Sequence, residues 1–410
     1  MITDFSLQQA FESLTTKIAA VVFYAFDVND ISVPLVLIWL ICGALVFTCY
    51  LGFINVRGFR HAVSLLSSNK RSGAKGEITP FQALSTALSG TVGTGNIAGV
   101  AVAISLGGPG ATFWMIMAGI LGMSTKFVEC TLAVKYRQIN ADGSVSGGPM
   151  YYIKAALDKY KLPVVGSILA LAFSVFVIFG SAGFVHVNQG FVQLKTVTGF
   201  DNAWLFGIIY ALLVAAVIIG GLKSIARVTS KLVPLMCGIY LVAAFFVMAA
   251  HASAIPAALW LIVQSAFSPE AGYGGFIGVL IQGFRRAAYS NEAGIGSSPI
   301  AHAAAQVKDP VSQGFVGLLE PFIDTVVICT ITALVIILTG AYQTPGLDGV
   351  QITSGAFASV FSWFPWVLMV ALLLFGFSTV ISWSYYGMTG WRYLVGQDKR
   401  LTQLYKVLFC

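Results

Sequence analysis

The residues with the most chemistry to offer lie in one stretch, Ser89-Gly90-Thr91-Val92-Gly93-Thr94-Gly95-Asn96-Ile97-Ala98-Gly99, inside an apolar segment running from about Phe81 to Leu106. Each glycine weakens a helix interior by about 1 kcal/mol against alanine, so this segment is predicted to unwind in its middle. Unwound backbone at membrane depth is tolerated only inside protein or along a cavity. A Gly-interrupted apolar segment is also the best sequence pointer to the binding site of a secondary transporter. Two kinds of chemistry follow. Amide N–H groups at the N-terminus of a half-helix attract a carboxylate, and freed carbonyls with hydroxyls suit a hard cation such as sodium. A plain small-residue packing face is the competing reading, but Thr91, Thr94 and Asn96 bring more polar groups than packing requires. Gly93-Thr-Gly95-Asn-Ile-Ala98 also matches a dinucleotide fingerprint. That motif needs a preceding strand and an acidic residue about 20 positions on, where this chain has Ala118.

Other candidates follow along the chain. A second interruption, Ser290-Asn291-Glu292-Ala293-Gly294-Ile295-Gly296-Ser297-Ser298, has the same character. Phe377-Ser378-Thr379 offers adjacent hydroxyls, with Trp383 one turn on; hydroxyls in a span also bond to the carbonyl a turn back, and Trp383 alone reads as packing. His186, followed by Asn188 and Gln189, forms a polar cluster, either a ligand contact or a histidine satisfied by backbone. Ionisable residues within spans are functional hypotheses by default: here Lys126, Glu129, Arg285, Arg286, Glu292, Glu320 and Asp324. Lys126/Glu129 and Glu320/Asp324 fall at helical spacing, which favours mutual neutralisation or pairing with the arginines. No His-Glu-x-x-His or Gly-x-Ser-x-Gly arrangement supports an intramembrane enzyme.

The elements that must position these residues are membrane helices. Of 410 residues, 57% are hydrophobic and 10% charged, against about 25% charged in soluble proteins. The net charge of +7 sits in short connectors, which argues against nucleic acid. The cysteines show no metal spacing or disulfide framework, and the N-terminus lacks signal-peptide features. Residues 1–32 are predicted to be an external or interfacial segment with an amphipathic run from Phe11 to Phe26, and residues 33–410 a transmembrane domain. The predicted spans are 33–56, the broken segment 81–106, 111–134, 163–192, 204–220, 233–250, a broken segment within 265–305, 311–340 and 356–388. A final helix opens at 401–410. Basic connectors belong on the cytoplasmic side. With the connector of Arg57, Arg60, Lys70, Arg71 and Lys75 inside, only Lys17 and Lys195 of the 23 Lys and Arg fall outside, Lys126, Arg285 and Arg286 being within spans. That places the N-terminus outside and the C-terminus in the cytoplasm.

Two interrupted helices of opposite direction predict an inverted repeat, with units at 79–250 and 270–410. A second unit as long as the first would end at about residue 440, so the second repeat is expected to be truncated at its C-terminus.

The chain resembles the alanine or glycine:cation symporter family, whose fold is similar to that of the leucine transporter. The resemblance rests on residues 81–100, Gly107-Gly-Pro-Gly110, Gly147-Gly-Pro-Met-Tyr-Tyr152, Lys231-Leu-Val-Pro234 and Ser265-Ala-Phe-Ser-Pro269. It continues with Ser290-Asn-Glu-Ala-Gly294, Phe322-Ile-Asp-Thr325, Phe377-Ser-Thr379 and Trp383-Ser-Tyr-Tyr-Gly387. It implies an all-α polytopic membrane protein, one peripheral span followed by the repeat, and symport of a small neutral amino acid, alanine or glycine, with sodium into the cell. No cofactor is implied; sodium is the co-transported ion. Thr94, Gly95 and Asn96 would then hold the substrate's polar groups, with Asn291 contributing, Trp383 walling the pocket and His186 beside it. Ser89, Val92, Ser378 and Thr379 would supply sodium oxygens. His186-Val-Asn188 departs from the family's usual Gln-Ala-Asn or Gln-Ser-Asn, a difference that bears on substrate choice and on pH dependence. The alternative is a non-transporting or channel-like truncated relative.

Overall fold

The computed structural model describes residues 7–28, 31–67, 74–268 and 275–410; Lys70, Arg71 and Pro269, named above, lie outside them. Helix α1 (Leu7–Val22) leads into an antiparallel hairpin, β1 (Ala25–Val28) and β2 (Ile31–Pro34), with Ala25 opposite Pro34. The helix expected to reach Phe26 therefore stops earlier: the β-branched Val28, Ile31 and Val33 favour extended backbone. Helix α2 (Leu35–Tyr50) has 16 residues, about 24 Å at 1.5 Å per residue and short of the roughly 30 Å hydrocarbon core. It ends before the expected Val56 because Gly52 and Phe53 turn left-handed, at φ 59° and 58°. Helix α3 (Phe59–Ser67) follows.

The first broken helix starts at Thr79, whose hydroxyl accepts from Gln82 N–H at 3.1 Å while the Gln82 side chain accepts from Thr79 N–H at 3.0 Å. Such a reciprocal cap, with Pro80 in the first turn, fixes the start of α4 (Pro80–Thr91). Val92 is extended (ψ 105°), and the chain re-enters a helix as α5 (Gly95–Gly107), whose first turn, Gly95–Gly99, is π-wound. The halves are bent by 53°.

Next come α6 (Ala111–Lys135), α7 (Pro149–Lys159), α8 (Pro163–Gly180), α9 (Phe184–Thr198), α10 (Ala203–Ile218), α11 (Gly221–Ala250) and α12 (Ile255–Ala266). The second broken helix is α13 (Gly275–Asn291) and α14 (Pro299–Ala303). The described chain closes with α15 (Pro310–Thr339), α16 (Val350–Ala358), α17 (Phe364–Val395) and α18 (Lys399–Phe409). Three expectations need correction. The fourth span runs on to Thr198 and is broken within its length into α8 and α9, because Gly183 adopts φ 67°. Residues 221–232, which fall between the predicted spans 204–220 and 233–250, open the single helix α11, and Pro234 lies inside that helix. The ninth span starts at Phe364, not residue 356, with Pro365 in its first turn, and α16 precedes it as a separate short helix.

Among the described residues, Ala111–Lys135, Pro163–Thr198, Gly221–Ala250, Pro310–Thr339 and Phe364–Val395 are long and apolar enough to cross a membrane, and the bent α4–α5 pair adds another. Helix α6 packs against α13, α14, α2 and the first half of α15. The last contact is close because Gly314 faces it: a Cβ there would meet Phe127 O at 2.8 Å. Small residues of this kind let membrane helices approach closely. Helix α17 packs against α8, α9, α11 and α4. Between these two groups lies α4, buried throughout from Ala83 to Thr91. Arg137 ties the bases of both broken helices, donating to the carbonyls of Ala303 (2.8 Å), Ala305 (2.6 Å) and Lys75 (2.7 Å).

Candidate functional site

The two interruptions meet. A Cβ built on Gly95 would lie 3.3 Å from Ser290 Cα, at the end of α13. Beside this contact is a cavity of about 380 Å³ whose lining includes Thr91, Gly95, His186, Tyr289, Glu292 and Trp383. The elements converge for local reasons. The first break opens at Val92, the second turns left-handed at Glu292 (φ 54°), Gly294 (90°) and Gly296 (92°), and Gly183 swings His186 inward on the first turn of α9. A larger groove of about 900 Å³, lined by Leu194, Phe206, Leu213 and Phe377 among others, is almost wholly apolar and offers little to a zwitterion.

The predicted site residues separate into three groups. Gly95, His186 and Trp383 line the cavity. His186 Nδ1 lies 3.1 Å from the Thr94 hydroxyl, so a side chain rather than the backbone engages this ring nitrogen. The indole N–H of Trp383 donates to Gly90 O at 3.2 Å, which fixes the ring against the end of α4.

Asn96 and Asn291 face away from this cavity. The Asn96 amide donates to Asp324 Oδ1 (2.7 Å) and Asp324 O (3.0 Å), while its carbonyl accepts from Gly93 N–H (2.8 Å). Asn291 donates to Thr325 Oγ1 at 2.9 Å and caps Ala293 N–H at 3.0 Å.

Ser89, Val92, Ser378 and Thr379 form the third group. Ser89 Oγ donates to Ser378 O at 2.6 Å, and Ser378 Oγ donates to Phe375 O at 2.9 Å. Thr379 Oγ1 is buried without a hydrogen-bond partner among the described residues, 3.0 Å from where a Cβ on Gly93 would stand. Val92 ends α4 with its ψ at 105°, so its carbonyl leaves the helix axis. Oxygen atoms with spare lone pairs, at a point where side chains are small, suit a hard cation.

Two further features were not assigned to the site by sequence reasoning. Asp324 sits on a π-wound segment, Phe322–Cys329, directly after Pro321. Proline removes a helix donor, and π-segments inside α-helices concentrate at functional positions. Its carboxylate accepts from Asn96, from Ser290 Oγ (2.8 Å) and from Thr325 Oγ1 (2.7 Å), joining both breaks to α15. Lys126, fully buried, pairs with Glu320 at 3.1 Å and donates to Ser298 Oγ. Glu129 instead accepts from Gly294 N–H at 3.2 Å. The pairs expected from helical spacing are thus replaced by a Lys126–Glu320 pair across two helices, and neither Arg285 nor Arg286 takes part.

Polar groups gathered around two broken helices in a multi-helix membrane protein are the arrangement by which secondary transporters build their sites. The comparisons with known proteins agree. The chain belongs to the sodium:alanine symporter family, whose model matches residues 18–410. It is 39% identical over 384 residues to the sodium/alanine symporter AgcS of Methanococcus maripaludis, covering 92% of this chain and 83% of that protein. It is 38% identical over 381 residues to the probable sodium/glutamine symporter GlnT of Bacillus subtilis, covering 91% of this chain and 77% of that one. Among solved structures, the nucleobase–cation symporter Mhp1 in its closed conformation superposes with a TM-score of 0.52 at 12% identity, over 83% of this chain and 73% of that one. The fold is thus that of the leucine-transporter-like carriers. The protein is a sodium-coupled amino-acid symporter rather than an enzyme.

Proposed function

We propose that the chain carries a small neutral amino acid, alanine first, with sodium into the cell across the inner membrane. Its N-terminus would be outside, its C-terminus cytoplasmic, and residues 1–32 external. The observation that carries this reading is the cavity at the meeting of the two breaks, bounded by Gly95, His186 and Trp383. The first N–H groups of a helix lack intrahelical partners, so the turn opening at Gly95 can take the substrate carboxylate, with Thr94 held beside it by His186. Trp383 walls the side-chain end. Asn96 and Asn291 act as braces, one holding the first break to α15 through Asp324 and the other holding the second through Thr325. Sodium sits among Ser89, Val92, Ser378 and Thr379, where the unpartnered Thr379 hydroxyl supports a cation position.

The units 79–250 and 270–410 supply one break each and would move against one another in alternating access. Reconstituted protein tests the reading: alanine accumulation that follows an imposed sodium gradient supports it, and accumulation indifferent to sodium refutes it. The channel alternative predicts solute flow with no accumulation against a gradient.

A further inference from the structure

We propose that Glu292 is the residue that recognises the substrate's α-ammonium group; this rests on the reading of an amino-acid substrate in the Gly95–His186–Trp383 cavity. Glu292 is the one charged side chain among the described residues that lines this cavity. It is 8% exposed, no lysine, arginine or histidine nitrogen among the described residues comes within 4.0 Å of it, and Lys126, the one cation whose charge is felt there, is itself paired with Glu320. A buried carboxylate without a cation is costly, which calls for a positive group that comes and goes. The backbone bears this out. Glu292 adopts φ 54°, a left-handed conformation natural to glycine or asparagine and rare for glutamate, and strained backbone of this kind concentrates at ligand sites.

The structural work of the second break is already done by neighbours. Glu129 accepts Gly294 N–H, Asn291 caps Ala293, and Lys126 is committed to Glu320 and Ser298. Among the described residues the Glu292 side chain accepts from the Ser297 hydroxyl alone, through Oε2, which leaves its other carboxylate oxygen with acceptor capacity. The geometry also suits the ligand. The ammonium and carboxylate of an α-amino acid share one carbon, so their recognising groups must be close together. Gly95, at the half-helix N-terminus, packs directly on Ser290, two residues from Glu292.

The test compares alanine with lactate, which replaces the ammonium by a hydroxyl, as competitors for labelled alanine on the purified full chain in sodium buffer. The wild-type chain should prefer alanine by a factor of roughly 10 to 100, the span of a hydrogen bond to a charged group. In Glu292→Gln, near-isosteric and still able to accept from Ser297, the preference should fall to about threefold or less. An undiminished preference overturns the proposal. So does an intact preference accompanied by a raised sodium requirement, which would assign Glu292 to the ion. If Glu292→Gln does not purify as a single species, Glu292→Asp keeps the charge but withdraws it by one methylene. Its alanine affinity should fall about tenfold with the preference over lactate kept, and full affinity would overturn the proposal. A wild-type chain that binds no amino acid removes the symport reading and this one together, whereas alanine binding with an unchanged preference in Glu292→Gln removes this one alone.

Discussion

The Asn96 amide donates to the Asp324 carboxylate at 2.7 Å across 228 residues of sequence, and Ser290 donates to the other oxygen of that carboxylate at 2.8 Å. One side chain on α15 thus holds both broken helices. Asp324→Ala removes the carboxylate that Ser290 and Thr325 donate to, at about 1–3 kcal/mol for each, while the Asn96 amide keeps its bond to the Asp324 main-chain carbonyl. The expected result is a loss of about 2 kcal/mol or more in thermal or denaturant stability, together with loss of alanine binding. Binding at wild-type affinity would mean that the breaks keep their shape without this brace.

Thr379 gives the opposite pattern. Its hydroxyl has no partner among the described residues, so Thr379→Val removes a buried unsatisfied oxygen at nearly constant volume. Stability should be unchanged or slightly higher, while the sodium concentration for half-maximal alanine uptake rises roughly tenfold, as for loss of one ligand oxygen. Gly93→Ala should act likewise, since its Cβ would stand 3.0 Å from the Thr379 hydroxyl. Sodium titration of uptake by each variant checks both.

The Lys126–Glu320 pair is fully buried, and removing one partner of such a pair costs about 3–5 kcal/mol. Lys126→Met should therefore destabilise strongly, and adding Glu320→Gln should restore part of the loss. A double variant no more stable than Lys126→Met would show that the two charges are not each other's partners.

His186 tests substrate choice. His186→Gln can still hydrogen-bond Thr94 and should keep alanine uptake within a few fold, whereas His186→Leu, which cannot, should raise the alanine KM about tenfold. Equal KM values for the two variants would place the Thr94–His186 contact outside substrate recognition.

What the sequence made legible was local. The glycines of the first break and Gly294 and Gly296 of the second are signals readable within a few residues. Gly183 and Pro365 are equally visible, yet the apolar runs on either side of them are continuous in hydropathy, so composition alone does not show the breaks. The partnerships of Asp324 and Lys126 were not legible, because spacing within one helix suggests Glu320/Asp324 and Lys126/Glu129 while the actual partners lie on other helices. The facing of Asn96 and Asn291 also depends on contacts that no local pattern encodes.

Labelled alanine uptake into proteoliposomes holding the 410-residue chain, with an inward sodium gradient against equal sodium on both sides, reads the coupling itself. Sodium-coupled symport predicts transient accumulation above equilibrium under the gradient alone, abolished when the gradient is dissipated. Accumulation of equal size without a sodium gradient, or equilibration that never overshoots, would contradict it.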